Sequence, residues 1–253
     1  MKLYHKQLGQ GKPFVILHGL FGSSDNWQTH AKKLAEYYQV TLIDLRNHGH
    51  SPWSAEFSYA LMVQDLHELF TELQLEKPIL LGHSMGGKLA MHFDHAFPGF
   101  IEKLIVVDMG VKAYPPHHAH ILAAIHAIDL SKLSARSEAE AILQTFVESE
   151  GVRQFLLKNL YWEEKGKLAW RVNFPVLEAS MAEILRELPE QESFTPTLFI
   201  RGLLSNYILD EDSAILESYF PDSQLASIPN AGHWVHAEAP ESFLEAVLSY
   251  SLR

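Results

Sequence analysis

The hexapeptide Gly82-His83-Ser84-Met85-Gly86-Gly87 directly follows the apolar run Pro78-Ile79-Leu80-Leu81. A strand, a tight turn and a helix start follow one another here, with a serine at the apex of the turn. Such a turn is strained, and the strand and helix that flank it approach closely, so a Cβ at the glycine positions would clash. The pattern therefore demands a strand that feeds straight into a helix and holds a serine oxygen above a sheet. Ser84 is expected to be presented rather than buried, as a candidate nucleophile.

The surrounding sequence has the rhythm such a turn needs. Short apolar runs, Phe14-Val15-Ile16-Leu17, Val40-Thr41-Leu42-Ile43, Ile79-Leu80-Leu81 and Leu104-Ile105-Val106-Val107, alternate with longer amphipathic stretches. From Ala60 to Leu73, Leu61, Leu66, Leu69, Phe70 and Leu73 recur at helix-face spacing. Apolar runs separated by helices predict an α/β fold with a mostly parallel central sheet flanked by helices. The rhythm breaks after Asp108 and resumes at Thr197-Leu198-Phe199-Ile200-Arg201 and Leu225-Ala226-Ser227-Ile228. The intervening stretch is Leu/Ala-rich and reads as helical. Its length exceeds that of ordinary loops, so a helical cap over residues 110–192 is expected, inserted into a core of residues 1–109 and 193–253. It would sit over the carboxyl ends of the strands, where open α/β sheets bind ligands.

At 253 residues and 47% hydrophobic content, the chain can bury one large core. The net charge of −11 opposes polyanions, and no block of basic residues offsets it, so nucleic acid is not an expected partner. Met1 to Gln7 has no apolar leader pattern, and no apolar stretch reaches the length of a membrane span. A soluble, cytoplasmic protein is expected. With no cysteine, disulfides, thiolate metal ligands and a cysteine nucleophile are excluded. No sequence feature sets an oligomeric state.

A serine hydroxyl becomes a competent nucleophile only beside a base, and the base in turn needs an orienting acid. Among 15 histidines, His233 stands apart. It lies in Pro229-Asn230-Ala231-Gly232-His233-Trp234, after the last expected strand and before a C-terminal helix starting near Pro240. His236 competes for the role of base.

These residues resemble the α/β-hydrolase superfamily across nearly the whole chain. His18-Gly19-Leu20-Phe21-Gly22-Ser23, the run from Asp44 to Ser51, Gly82 to Gly87 and Gly232-His233 match its landmarks in order. Tyr114 with the histidines after it, Arg153 to Leu160 and Arg201 to Ile208 are most similar to the YbfF-type acyl esterases within it. The resemblance implies an α/β-hydrolase fold, with the backbone amides of Leu20 and Met85 as an oxyanion hole and His18 bracing that loop. It also implies turnover of a small-molecule acyl ester or thioester through an acyl-enzyme, with no cofactor and no metal. Many relatives carry an acid in Gly-x-x-Asp after a late strand, but here the segment is Gly202-Leu203-Leu204-Ser205. Asp108, at the superfamily's other acid position, is the implied acid, with Asp210 and Asp212 as alternatives. Ser205 is then an auxiliary residue near the acid or the ring.

His117, His118, His120 and His126 lack a completed ligand pattern and are read as pocket lining at the cap entrance rather than as a metal site. His92 and His95 read as helix-surface residues. Leu122, Ile125, Ile128, Phe146, Val147, Phe155 and Leu156 read chiefly as the cap's own core. A serine at the elbow excludes the aspartate-based dehalogenases and epoxide hydrolases. Two rivals to an esterase remain: a carbon–carbon bond hydrolase or lyase of the same fold, and a ligand-binding protein on a hydrolase scaffold.

Overall fold

In the computed structural model, residues 1–116 and 118–253 are described. The chain opens with β1 (His5–Leu8) and β2 (Pro13–Leu17), passes through α1 (Gln28–Leu34) to β3 (Gln39–Ile43), and through α2 (Tyr59–Glu72) to β4 (Ile79–His83). Helix α3 (Met85–Ala96) returns it to β5 (Lys103–Val107). The chain then leaves the sheet for α4 (Ala119–Ala127), α5 (Arg136–Gln144), α6 (Glu150–Leu157), a hairpin of β6 (Leu160–Glu164) and β7 (Lys167–Trp170), α7 (Phe174–Ala179) and α8 (Met181–Ile184). It re-enters at β8 (Thr197–Gly202), followed by α9 (Ser213–Tyr219), β9 (Ser223–Ile228), α10 (Val235–Glu238) and α11 (Pro240–Ser251).

The seven-stranded sheet has the order β1-β3-β2-β4-β5-β8-β9 and is parallel except for β1, which pairs antiparallel with β3. Every central strand is apolar on both faces because both faces are covered. Val15, Leu17, Leu80, Leu104 and Val106 pack into one core with α2 and α3, while Phe14, Ile16, Leu81, Ile105 and Val107 pack into the other with α1 and α11. This is the period-two alternation of a strand buried between two helical layers.

One element was not anticipated and one expectation is corrected. The edge strand β1 was not foreseen, because His5-Lys6-Gln7-Leu8 is mostly polar. The stretch between β5 and β8 is not wholly helical: Leu160↔Trp170, Tyr161↔Ala169 and Trp162↔Leu168 pair across an antiparallel hairpin. Gly166, at φ 82°, supplies the turn conformation that side chains resist. Among the described residues no helix is long and apolar enough to cross a membrane.

The parallel strands all end on the same side, so the residues just after them gather there. His18 follows β2, Asp44 follows β3, Ser84 follows β4, Asp108 follows β5, Ser205 lies just beyond β8 and His233 just beyond β9.

Candidate active site

Ser84 occupies φ 53°, ψ −121°, a conformation that non-glycine residues rarely adopt. The turn is enforced from both sides: a Cβ at Gly82 would stand 2.1 Å from the Gly86 carbonyl oxygen, and one at Gly86 would stand 2.5 Å from that of His18. The Ser84 amide donates to the Val107 carbonyl at 3.0 Å, which locks the apex to the end of β5. Strain held by packing and hydrogen bonds of this kind is characteristic of functional sites.

Ser84 Oγ lies 2.9 Å from His233 Nε2, and His233 Nδ1 lies 2.8 Å from Asp108 Oδ2. A carboxylate only accepts, so Nδ1 carries the ring proton and Nε2 is left to accept from the serine hydroxyl. Asp108 is completely buried and adopts φ 48°. Its Oδ1 accepts from the Gly202 amide at 3.1 Å, and its Oδ2 also accepts from the Ser205 hydroxyl. Burial pushes the Asp108 carboxyl up to about 6, against the Ser205 and Gly202 donors that hold it down. Asp210 and Asp212 are not brought to His233: Asp210 pairs with Arg201 at 2.5 Å and Asp212 with Lys112 at 2.5 Å. His236, the competing base, lines the same cavity but is buried and stacked on Trp27 with ring centroids 4.2 Å apart, and it is His233 that meets the serine oxygen.

Among the described residues no protein acceptor takes the backbone N–H of either Leu20 or Met85. Met85 opens α3, where unpaired amides and the helix dipole favour negative charge. The Leu20 loop is heavily braced. His18 Nδ1 donates to the Gly19 carbonyl at 2.8 Å while its Nε2 accepts from the Leu45 amide at 3.0 Å. His48 Nδ1 donates to the Arg46 carbonyl at 2.8 Å and its Nε2 accepts from the Phe21 amide at 3.2 Å. Asn159 Nδ2 donates to the Phe21 carbonyl at 2.8 Å. Both histidines thus serve as neutral rings, and burial draws His48 down to about 3.

Ser84 and His233 face a cavity of about 320 Å³. Its floor is Leu20, Phe21, Trp27 and His83, and its roof is His118, His120 and Ile121 near α4 with Val152 and Phe155 of α6. Ser84 is only 7% exposed, which corrects the expectation of an open serine: the segment between β5 and β8 covers it, and access runs through the cavity. His118 and His120 line that cavity, whereas His126 pairs with Glu178 at 2.8 Å and faces a different groove; His117 lies outside the described residues. Ile125, Ile128, Val147 and Leu156 are buried, but Phe146 is exposed and Phe155 lines the cavity.

His92 and His95 are not plain surface residues. Each is half-buried, His92 stacked on Tyr59 at 4.6 Å and His95 on Phe220 at 5.6 Å. Helix α3 is covered on more than its sheet-facing side, which its periodicity did not reveal. Other participants also escaped the sequence reading. The Tyr207 ring stacks on His233 at 3.8 Å, and His83 Nε2 donates to the His233 carbonyl at 2.9 Å. The landmark run from Asp44 to Ser51 was the available signal for His48, and the run from Arg153 to Leu160 contains Asn159 without singling it out.

The alpha/beta hydrolase family model matches residues 14–246. The chain is 38% identical over 245 residues to the sn-1-specific diacylglycerol lipase ABHD11 of Mus musculus, covering 93% of this chain and 80% of that protein. It is 37% identical over 241 residues to esterase YbfF of Escherichia coli, covering 94% and 92% respectively. A solved structure described as a marine microorganism esterase superposes with a TM-score of 0.96 at 40% identity, covering 98% of this chain and 99% of that one. With the family model spanning most of its length and YbfF aligned almost end to end, this chain belongs to the alpha/beta hydrolase family, in its YbfF-type branch.

Proposed function

We propose that the protein is a serine hydrolase that cleaves carboxylic esters or acyl thioesters of small to medium acyl groups through an acyl-enzyme. The observation that carries this reading is the continuous hydrogen-bonded line Ser84–His233–Asp108 facing an apolar cavity. Its esterase and lipase relatives support the same chemistry.

In this reading Ser84 Oγ attacks the acyl carbon while His233 Nε2 takes its proton, and the carbonyl oxygen becomes an oxyanion held by the Leu20 and Met85 amides. Collapse of the tetrahedral species breaks the bond to the alcohol or thiol, which leaves with the proton from His233. A water, deprotonated by the same nitrogen, then attacks the acyl-enzyme and releases the carboxylic acid and Ser84. Asp108 holds the ring in the tautomer this requires and stabilises the imidazolium that forms. Ser205 is auxiliary, donating to Asp108. Residues 110–192 act as a cap on a core of residues 1–109 and 193–253, and the apolar lining from Ile121, Val152 and Phe155 suits an acyl chain.

The reading is tested with p-nitrophenyl and coenzyme A acyl esters of increasing length, offered to the wild type and to Ser84→Ala. Multiple turnover that the substitution abolishes is the expected result. Equal, near-background rates in both proteins across the whole panel would defeat it and favour a ligand-binding role, while cleavage of a dicarbonyl carbon–carbon bond in preference to esters would favour the lyase reading.

A further inference from the structure

Lys88 lies one helical turn after Ser84 on α3, and its amide donates to the Ser84 carbonyl at 3.0 Å. Its side chain is completely buried, although it ends in an amine. Nζ donates to the Lys112 carbonyl at 2.8 Å and to the Arg186 carbonyl at 2.9 Å, and it stands 5.2 Å from the centre of the Tyr114 ring. Those carbonyls belong to the two chain passages that connect the segment between β5 and β8 to the sheet. The outgoing and returning passages also bind each other: Tyr114 N donates to the Leu185 carbonyl at 2.8 Å, and Leu188 N donates to the Val111 carbonyl at 2.8 Å. Lys88 therefore closes a short two-stranded neck from the side of the nucleophile helix.

The neck also reaches the base. The Tyr114 hydroxyl accepts from the Gly110 amide at 2.7 Å and donates to the Tyr207 carbonyl at 2.9 Å, and the Tyr207 ring lies flat against His233. One amine nitrogen thus connects the helix that begins at Ser84 to both roots of the covering segment and, through Tyr114, to the residue packed on His233. A buried ammonium is an inefficient stabiliser compared with an apolar side chain of similar shape. Burial draws its pKa down to about 7. What the side chain supplies is geometric: two carbonyl acceptors on separate passages meet donors on a single atom.

We propose that Lys88 is a positioning residue that ties both roots of the cap to the nucleophile helix and so sets the shape of the acyl cavity, and with it the preference for acyl-chain length. This rests on the cap and hydrolase readings above. Lys88 itself does not face the cavity, so its effect reaches the substrate only through the elements it holds.

The test compares the wild type with Lys88→Met and Lys88→Gln by amide hydrogen exchange and by kinetics on p-nitrophenyl acetate, butyrate, octanoate and laurate. Active enzyme is counted by titration with a fluorophosphonate. Both variants are expected to fold, with Lys88→Met melting below the wild type because the Lys112 and Arg186 carbonyls lose their donor. Exchange at the Tyr114 and Leu188 amides should accelerate by about tenfold as the neck loosens. The kcat/KM ratio of octanoate to acetate should shift by about tenfold, with a smaller change for acetate, because only longer chains reach the cap. Unchanged neck exchange would overturn the proposal, as would faster exchange with an unaltered chain-length ratio. Failure of both variants to fold would also overturn it, by making Lys88 a stability element. An inactive wild type would instead defeat the hydrolase reading, and exchange at the neck would then decide the tether alone.

Discussion

The Ser205 hydroxyl donates to Asp108 Oδ2, the same carboxylate oxygen that accepts from His233 Nδ1. Ser205 Oγ in turn accepts from the Tyr207 amide at 3.2 Å, which aims its single proton at the acid. In a buried site, a donor on a carboxylate favours the charged form. Ser205 therefore works to keep Asp108 ionised where burial favours protonation. Ser205→Ala should lower kcat by about tenfold, in line with one lost hydrogen bond to a charged group. It should also move the acidic limb of the kcat/KM profile to higher pH. A profile that stays in place while kcat falls would refute the electrostatic part of this account.

Asp108→Asn separates function from stability. The variant removes the charge that selects the Nδ1–H tautomer, so turnover should fall by about 10⁴-fold. Stability is governed by the raised folded-state pKa, about 6 against an ordinary 3.8. The folded state holds the proton more tightly, so this stabilisation is complete below about pH 4 and lost as pH rises through about 6. At neutral and alkaline pH the ionised acid is a burden that a neutral amide lacks. Asp108→Asn should therefore melt at or above the wild-type temperature near pH 8, with the advantage shrinking towards pH 5. A lower melting temperature at both would show that the hydrogen bonds of Asp108 outweigh its desolvation.

These two residues illustrate what was legible in the chain. Ser84 and His233 could be singled out as candidates because their surroundings are local: glycines around a strained turn, and a strand followed by a helix. Asp108 could be weighed only against Asp210 and Asp212, because choosing among carboxylates is a matter of three-dimensional contact. Arg201 and Lys112 occupy the latter two. Strands β2 to β5 and β8 announced themselves through apolar runs, while the mostly exposed edge strand β9 was marked by Leu225-Ala226-Ser227-Ile228. Strand β1 sits at an edge where polar side chains are tolerated, and the β6–β7 hairpin is short and partly exposed, so neither produced that signal. The supports from Lys88, Asn159 and Tyr207 cross large distances in sequence and leave no periodic mark.

Asn159 links the covering segment to the loop that carries Leu20. Its Nδ2 holds the Phe21 carbonyl, and Phe21 sits at φ 60°, so the loop keeps an unfavourable conformation with help from outside itself. Asn159→Ala leaves a buried carbonyl without its donor, at a cost of about 1–3 kcal/mol. If the Leu20 amide serves the transition state, the loss should fall mainly on kcat, with KM little changed. Asn159→Asp should be more damaging, since an acceptor would then face an acceptor. A rise in KM at constant kcat would assign Asn159 to ground-state binding.

Acid should unfold this protein through its buried histidines. Burial holds His18, His30, His48, His83, His92, His95 and His236 below the ordinary value of 6.5, with His48, His83 and His92 each near about 3. In the unfolded chain each takes up a proton near pH 6.5, while in the folded protein protonation is delayed. Their stabilisation is therefore full above about pH 6.5 and is lost progressively as pH falls towards about 3. Asp108 acts in the opposite sense between about 6 and 4, but as one group against several it only softens the slope. The melting temperature should fall steeply from about pH 6.5 to 4.5. His92→Phe preserves the stack on Tyr59, removes one of the titrating rings, and should flatten that fall while leaving esterase activity at neutral pH intact. A melting temperature that holds steady across this range would mean that the interior admits charged imidazoles, and the neutral-ring assignments at His18 and His48 would fall with it.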